Sequence, residues 1–321
     1  MSIVLPTRTP SRPVPTRWVW IVASFAVLTV LLQRMGVAAG WVASLTGADP
    51  APAFAPWLGA AGVAALIVLN VVVINRLRRS AQIVAIWGEL VVLLLAFFYS
   101  FDLSFAFIAK KIGFLITQGV TTTLYISAIS IVIASAIALV GAVAKLSPNG
   151  IAFGLSSFYT SLFRGLPLLM QIYIIYLGLP QLGYVVGPVP AGIAALSLCY
   201  GAYMTEIFRA GIESIPRGQW EASEALGLKR TQIMRMIILP QAMRIIVPPT
   251  GNQFIAMLKD SSLVSVMGIW EIMYLARTQG QTEFRHIEML ITASMIYWLL
   301  SMVLEYGQAR LERHFSRSLR R

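Results

Sequence analysis

Long apolar runs separated by short polar segments dominate the sequence of this 321-residue chain. A helix needs about 20 apolar residues to cross a bilayer, and eight runs meet or approach that length. They lie near Trp18–Val37, Trp57–Asn75, Gln82–Tyr99, Gly119–Ala144, Ser157–Leu179, Ala191–Ala210, Ile245–Trp270 and Met289–Tyr306. Polar residues interrupt the seventh run. The pattern predicts an all-α integral membrane fold with about eight transmembrane helices.

The polar content of the runs changes near residue 105. The first three runs are rich in Val, Ala and Leu and hold little polar content apart from Glu89, whereas the last five contain many Gly, Pro, Ser, Thr and charged residues. Polar groups inside lipid are costly and more often line a pathway. We therefore expect an N-terminal extension with three spans (residues 1–104) and a five-span functional domain (residues 105–321).

Basic residues alternate along the polar segments. They precede the first run, follow the second, flank the link between the fourth and fifth, fill the link between the sixth and seventh, and follow the eighth. Residues 38–56 and 180–190 contain no Lys or Arg. By the positive-inside rule this alternation places both termini in the cytoplasm. The net charge of +12 is thereby explained by topology, and we expect no nucleic-acid partner.

Composition supports the membrane interpretation and excludes several site types. The chain is 58% hydrophobic and 12% charged, and a soluble protein of this length could not keep so much apolar surface out of water. A single cysteine, Cys199, excludes an intrachain disulfide. The two histidines, His286 and His314, are isolated from Cys199 and from each other, so we expect no metal site.

A charged segment at residues 216–240 separates the sixth and seventh runs. Pro216 can occupy the first turn of a helix, and Gly227 can take the left-handed conformation that ends it. A second helix is predicted to resume near Lys229 and to end at Pro240. Two short helices joined at a glycine could fit a groove on a partner or lie on the lipid surface.

The residues of this segment carry a resemblance to a known family. The pattern Glu221-Ala222-Ser223, three residues, Gly227, nine residues and Ile237-x-Leu239-Pro240 resembles the EAA loop of ABC-importer permeases, with Ser223 where that consensus has Ala. Further stretches are similar to those of the polar amino acid (histidine/glutamine-type) permeases: FRGLPLLMQ at 163–171, YLGLP at 176–180, EIFRAGIESIPRGQ at 206–219, PPTGN at 248–252 and KDSSL at 259–263. The resemblance covers about residues 105–310.

The resemblance implies a permease subunit with the five-helix core of type I ABC importers, located in a bacterial inner (plasma) membrane. It implies three kinds of partner: a second permease subunit (identical or different), cytoplasmic ABC ATPase subunits and an extracytoplasmic substrate-binding protein. The chain has no G-x-x-x-x-G-K-[ST] sequence, so we expect the partner to bind ATP and no cofactor in this chain. The residues expected to couple to the ATPase are Glu221, Ala222, Ser223, Gly227, Ile237, Leu239 and Pro240.

The seventh run holds the strongest candidates for a substrate pathway. Its prolines free backbone groups, which membranes tolerate mainly where protein or a water-filled cavity satisfies them, and broken helices in transporters often lie at the substrate site. An amino acid carries an ammonium and a carboxylate, so its site needs an acid and a donor. The candidates are Asn252, Lys259, Asp260, Ser261, Gln171, Tyr203 and Glu206. Structural roles stay open for all of them, including an ion pair between Arg164 and Glu206.

Two other functional classes are considered. An ion-coupled secondary amino acid transporter would need midplane carboxylates, ideally in two matching halves, and the sequence shows no such internal symmetry. A membrane-embedded enzyme would need a catalytic constellation, and no clustered His/Asp or Ser/His set is present. The leading expectation is therefore a transport subunit that is not an enzyme.

Overall fold

A computed structural model of the chain describes residues 15–34, 55–99, 101 and 103–316. These residues form helices, turns and connecting segments, and none of them lies in a strand. The chain divides into two compact units, Met1–Tyr99 and Ser100–Arg321. Among the described residues, five helices are long and apolar enough to cross a membrane, or six when one bent pair counts as a span. The all-α fold is confirmed, whereas this number does not confirm the predicted eight spans.

The N-terminal unit contains helices α1 (Pro15–Arg34), α2 (Ala55–Asn75) and α3 (Arg79–Tyr99). Helices α2 and α3 qualify as spans, and the described apolar part of α1, Ser24–Arg34, is shorter. The last three residues of the first predicted run, 35–37, lie outside the described residues. Asn70 Nδ2 donates a hydrogen bond to Glu89 Oε1 at 2.9 Å, so this acid pairs with a neighbouring helix.

The C-terminal unit is built from the following elements. They are α4 (Phe105–Phe114), a π-helical turn (Leu115–Val120), α5 (Thr121–Lys145), α6 (Gly150–Gly165), α7 (Leu168–Tyr173), a second π turn (Ile174–Gly178), α8 (Leu179–Gln181), α9 (Pro188–Glu213), α10 (Arg217–Ala225), α11 (Arg230–Gln232), a third π turn (Ile233–Ile238), α12 (Leu239–Asp260), a 3₁₀ segment (Ser261–Met267), α13 (Ile272–Thr282) and α14 (His286–Ser316).

The fourth predicted run begins earlier than expected. Helix α4, the π turn and α5 form one span candidate, Phe105–Lys145, whereas the hydropathy pattern predicted a start at Gly119. The Ser104 hydroxyl caps this helix by accepting from the Phe107 N–H at 3.4 Å. The hydropathy pattern does not predict the first turns of this helix because they contain Lys110 and Lys111. Charged residues lower the local hydropathy without breaking a helix.

The fifth predicted run is two helices rather than one. Helix α6 and the segment Leu168–Gln181 meet at an angle of 107°. The bend lies at Leu166, which has an extended backbone (φ −94°, ψ 138°), because the residue before a proline is disfavoured in the α conformation. The single span predicted over Ser157–Leu179 is therefore corrected to a bent pair.

The boundaries of the seventh run also differ from the prediction. Pro240 does not end the second loop helix, because the π turn Ile233–Ile238 leads directly into α12. A wider π turn tolerates a residue without an N–H, since its hydrogen bonds skip positions that an α-helix would use. At its other end α12 stops at Asp260 and tightens into the 3₁₀ segment, well before the predicted Trp270.

Small residues bring the central helices of the C-terminal unit together. A methyl group added at Gly141 of α5 would lie 2.6 Å from Thr205 Oγ1 of α9, and one added at Gly201 would lie 2.8 Å from the Tyr159 hydroxyl of α6. The Tyr159 hydroxyl also donates to Leu198 O at 2.6 Å. Close backbone approach at small residues is the usual way in which membrane helices associate, and here it fixes α9 between α5 and α6.

Candidate functional site

The segment between α9 and α12 forms an elbow of two helices, which we call the loop elbow (residues 216–240). Helix α10 follows Pro216 and ends in a Schellman motif: the Gly227 N–H donates to Glu224 O at 2.9 Å and the Leu228 N–H to Ser223 O at 3.3 Å. Gly227 has φ +74°, the left-handed conformation that glycine adopts at least cost. The predicted glycine corner is therefore present.

Side-chain contacts fix the angle of the loop elbow. Gln241 Nε2 of α12 donates to Gln219 Oε1 of α10 at 3.0 Å. The Lys229 N–H, at the start of α11, donates to Gln232 Oε1 at 2.8 Å. The first hydrogen bond therefore joins α10 to the start of α12, and the second caps the start of α11.

One face of the loop elbow is buried and the other is exposed. Ser223 is 4% exposed and Trp220 is half-buried against the central helices. Leu226, in contrast, is 79% exposed and Met236 is 64% exposed. The remaining exposed positions include Glu221, Ala222 and Gly227. The exposed face of the loop elbow therefore leaves large apolar side chains uncovered.

A polar recess near the predicted pathway is a cavity of about 490 Å³, which we call cavity 1. It lies between the bend after α6, the middle of α9 and the end of α12. Its lining residues are Arg164, Gly165, Leu166, Pro167, Leu168, Cys199, Tyr200, Tyr203, Gln253 and Asp260. The cavity therefore contains one acidic and one basic side chain among aromatic and apolar neighbours.

The two charged side chains of cavity 1 are held in place by aromatic residues. The Tyr200 hydroxyl donates to Asp260 Oδ2 at 2.8 Å. The Arg164 guanidinium lies 5.5 Å from the centre of the Tyr203 ring, a cation–π distance. The Asp260 carboxylate keeps its other oxygen available, and the Arg164 guanidinium offers several N–H donors. The cavity wall therefore presents a carboxylate acceptor and guanidinium donors.

Glu206 lies at the centre of an ion-pair cluster beside cavity 1. It pairs with Lys145 of α5, with Arg209 Nε at 2.9 Å and with Arg164 Nη1 at 3.8 Å. Arg209 Nη1 in turn contacts Glu213 Oε2 at 2.6 Å. Because Glu206 joins side chains from α5, α6 and α9, it ties three helices together next to the cavity, in keeping with the structural alternative.

The structure separates the predicted pathway residues into two groups. Asp260 and Tyr203 line cavity 1. Ser261 is fully buried, and its hydroxyl donates to Leu258 O at 2.7 Å. Gln171 is buried, and its amide donates to Phe163 O and Leu166 O, both at 2.9 Å, so it braces the bend after α6. These two residues stabilise the fold next to the cavity and do not line it.

Two further predicted residues point away from cavity 1. Asn252 is exposed on α12 and is not among the residues that line the cavity. Lys259 lines a separate cavity of about 520 Å³, cavity 2, whose polar walls include Tyr297, Ser301 and Glu305. Adjacent helical residues point about 100° apart, so Lys259 and Asp260 face different cavities.

Sequence reasoning did not select Tyr200 for the site. Tyr200 and Tyr203 lie three positions apart on α9 and thus on one face of the helix, and their rings are 6.4 Å apart. This three-residue spacing is the sequence signal that places Tyr200 beside the candidate Tyr203. Within the described residues, no group of three or more His, Cys, Asp or Glu side chains could hold a metal ion.

Comparison with known proteins gives consistent matches across the C-terminal unit. A family model described as "Binding-protein-dependent transport system inner membrane component" matches residues 137–317. The chain is 37% identical over 213 residues to the arginine transport system permease protein ArtQ of Bacillus subtilis, covering 66% of this chain and 97% of the relative. It is 36% identical over 197 residues to the putative glutamine transport system permease protein GlnP of Rickettsia typhi, covering 61% and 90%.

Solved structures give the same architecture. A crystal structure of an amino acid ABC transporter with histidines matches with a TM-score of 0.62 and 33% identity, covering 66% of this chain and 99% of that chain. An inward-facing structure of the MetNI methionine ABC transporter matches with a TM-score of 0.54 and 22% identity, covering 63% and 96%. The second likeness concerns the fold alone.

Proposed function

This chain belongs to the family of binding-protein-dependent transport system inner membrane components, as an amino acid ABC importer permease in the inner membrane, and from that premise we propose how it works. We propose that it moves a polar amino acid inward by alternating access, powered by separate ATPase subunits that dock on the loop elbow. Its relatives are transporter subunits rather than enzymes. In this proposal the chain provides the substrate pathway and the helices that transmit the movement of the ATPases to it.

The continuity between the loop elbow and cavity 1 carries this proposal. From Arg230 to Asp260 the backbone is helical without interruption, through α11, the π turn and α12. At about 1.5 Å per residue this run extends about 45 Å, from the exposed elbow at one end to the acid of cavity 1 at the other. A displacement of the elbow by a docked ATPase would therefore move Asp260.

The exposed side chains of the loop elbow fit the docking role. Leu226 is 79% exposed, and Glu221 and Ala222 share the outward side, while Ser223 and the aromatic ring of Trp220 anchor the inward side. We propose that the outward residues enter a groove on the ATPase. The neighbouring positions Ile237, Leu239 and Pro240 connect this surface to α12.

Cavity 1 supports a polar amino acid as the transported molecule. Asp260 can accept hydrogen bonds from the ammonium group, and Arg164 can donate to the carboxylate. Both charges of the substrate would then be paired, which is what a binding site remote from water requires. We propose that the Glu206 cluster closes the cavity on its cytoplasmic side, because Arg164 belongs to both the cluster and the cavity wall.

The wider assembly follows from the same proposal. We propose a five-span core beginning near residue 105, preceded by an N-terminal extension with three spans, and both termini in the cytoplasm. A second permease subunit, two ATPases and an extracytoplasmic binding protein would complete the importer. ATP would be bound by the ATPase partners.

Two substitutions at the loop elbow test the coupling step. We expect Leu226→Glu and Gly227→Asp to leave membrane insertion intact but to lower ATP-driven amino acid uptake at least about tenfold in vesicles containing the whole importer. Leu226 is exposed, so its replacement costs little in folding, whereas Gly227→Asp adds about 1–2 kcal/mol of left-handed strain. Gly150→Asp is the matched control, because an added side chain there meets no atom within 4 Å.

Two outcomes would overturn the proposal. Normal uptake by both loop variants would remove the elbow from the mechanism. Accumulation of an amino acid against its gradient in vesicles that hold this chain without any ATPase would instead identify an ion-coupled secondary transporter.

A further inference from the structure

Cavity 2 lies on the other side of the end of α12 from cavity 1. It has a volume of about 520 Å³ and is bounded by the end of α12, the start of α13 and the middle of α14. Lys259, Tyr297, Trp298, Ser301 and Glu305 are among its walls, and it shares no lining residue with cavity 1. A volume of this size is in the range of small-molecule sites.

Two opposite charges in cavity 2 have no protein partner. Within the part of the chain that the structure describes, neither Lys259 nor Glu305 forms an ion pair or a hydrogen bond. Glu305 lies inside the candidate span His286–Arg313. Ionisable groups within membrane spans are costly and normally pair or serve a function. Both side chains are exposed, so the pair is accessible to a ligand from outside the chain.

A buried hydroxyl in the wall of cavity 2 supplies independent support. Ser301 is 6% exposed, and its Oγ has no hydrogen-bond partner among the described residues. A buried polar atom without a partner costs about 1–3 kcal/mol, so such atoms usually meet a bound molecule or water. The Ser294 hydroxyl of the same helix, in contrast, donates to Leu290 O at 2.8 Å.

The charge balance of cavity 2 selects the class of ligand. One ammonium and one carboxylate in the walls sum to zero, so a simple anion would leave Glu305 unpaired and a simple cation would leave Lys259 unpaired. A molecule with one anionic group and one ammonium pairs both. Trp298 and Met273 add an apolar wall that can hold an aliphatic or acyl portion.

We propose that cavity 2 is a binding site for a zwitterion of amino-acid size, distinct from the transport site in cavity 1. Lys259 donates to the carboxylate or phosphate of the ligand, Glu305 accepts from its ammonium, and the Ser301 hydroxyl donates to the anionic group. A free amino acid and a phosphatidylethanolamine headgroup share this chemistry.

Equilibrium binding to the full chain in nanodiscs tests the proposal and separates the two sources. In nanodiscs of phosphatidylglycerol alone, radiolabelled L-glutamine, L-arginine and L-cystine probe the free amino acids. Retained phosphatidylethanolamine, measured by native mass spectrometry, probes the lipid. We expect Lys259→Met and Glu305→Gln each to weaken binding of at least one of these probes about tenfold to hundredfold, the usual range for a charge-assisted hydrogen bond.

Matched variants isolate the effect to cavity 2. Lys110→Met and Glu312→Gln remove the same charges elsewhere in the C-terminal unit and should leave binding unchanged. If glutamine binds, 4-aminobutanamide, which keeps the ammonium and lacks the carboxylate, should not compete at this site. Asp260→Asn should abolish binding in cavity 1 alone. If this variant still binds as the unmodified chain does, the result counts against the transport site in cavity 1 and not against cavity 2.

Three results would overturn the proposal. The first is unchanged binding of every probe in both Lys259→Met and Glu305→Gln. The second is loss of binding in the two control variants as well. The third is disulfide cross-linking between Ser301→Cys copies in the membrane, which would show that a second protein chain fills the cavity.

Discussion

Glu271 allows a quantitative prediction about pH and stability. Its carboxylate is fully buried at the start of α13 and accepts hydrogen bonds from the Met273 N–H at 2.8 Å, the Tyr274 N–H at 2.6 Å and the Tyr297 hydroxyl at 2.6 Å. Burial raises the pKa of Glu271 from its ordinary 4.5 to about 7, although these hydrogen bonds and the charge of Arg277 act in the opposite direction.

The sign of the effect follows from proton binding. Between pH 4.5 and 7 the folded chain holds a proton on Glu271 that the unfolded chain has released. The free energy of unfolding therefore falls as the pH rises through this window and levels off above pH 7. The change in the pKa of Glu271 from 4.5 to about 7 corresponds to about 3 kcal/mol, most of which lies between pH 5 and pH 8.

The assay compares Glu271→Gln with the unmodified chain. We expect unfolding of the purified chain in nanodiscs, measured from pH 5 to pH 8, to show that Glu271→Gln gains about 2–3 kcal/mol of stability relative to the unmodified chain as the pH rises. Any lost hydrogen bond adds a constant offset and leaves the slope alone. Glu283→Gln, at an exposed glutamate that follows the last residue of α13, should keep the original pH dependence. An unchanged slope in Glu271→Gln would refute the reasoning.

Helix packing and the wall of cavity 1 give two further predictions. Gly211→Ala places a methyl group 2.4 Å from Ile246 Cγ1 and should lower the free energy of unfolding by about 1–3 kcal/mol. Gly154→Ala is the control, because an added methyl there meets no atom within 4 Å, and it should be neutral or stabilising. Equal losses of stability in both variants would contradict the packing argument. Tyr200→Phe removes the 2.8 Å hydrogen bond to Asp260 and should lower the free energy of unfolding by about 1.5–3 kcal/mol. A denaturation midpoint equal to that of the unmodified chain would show that this hydrogen bond does not stabilise the fold.

Local signals explain what the sequence predicted well. The corner at Gly227 depends on one residue that tolerates a positive φ and on neighbours that form helix on either side, so the pattern of residues is sufficient. The different directions of Lys259 and Asp260 can likewise be derived from helical geometry, because adjacent helical residues point about 100° apart. Such features need only the chain's own backbone.

Features that depend on contacts between distant segments were missed. Residues 157–179 are apolar enough on average to predict one span, although Pro167 is a local signal for the bend at Leu166. The sequence predicts a helix end at Pro240 because this residue lacks an N–H. The π turn that lets the helix continue through Pro240 has no sequence signature. Gln171 is polar within a membrane segment, which favours a pathway role, but its partners are backbone carbonyls that only the bend brings within reach.

The position of Lys259 and Asp260 at the end of α12 connects the two cavities to the loop elbow. Both residues follow any rotation or translation of the helical run that begins at Arg230, so both cavities must change when the elbow moves. If a zwitterion binds cavity 2 more tightly in one position of α12, it must shift the equilibrium toward that position. If cavity 1 also binds its amino acid more tightly in one position, filling cavity 2 changes the affinity of cavity 1 by the same factor by which filling cavity 1 changes the affinity of cavity 2. Occupancy of cavity 2 would therefore tune transport without entering the pathway, and Glu305→Gln should abolish any dependence of uptake on the second ligand while cavity 1 still binds.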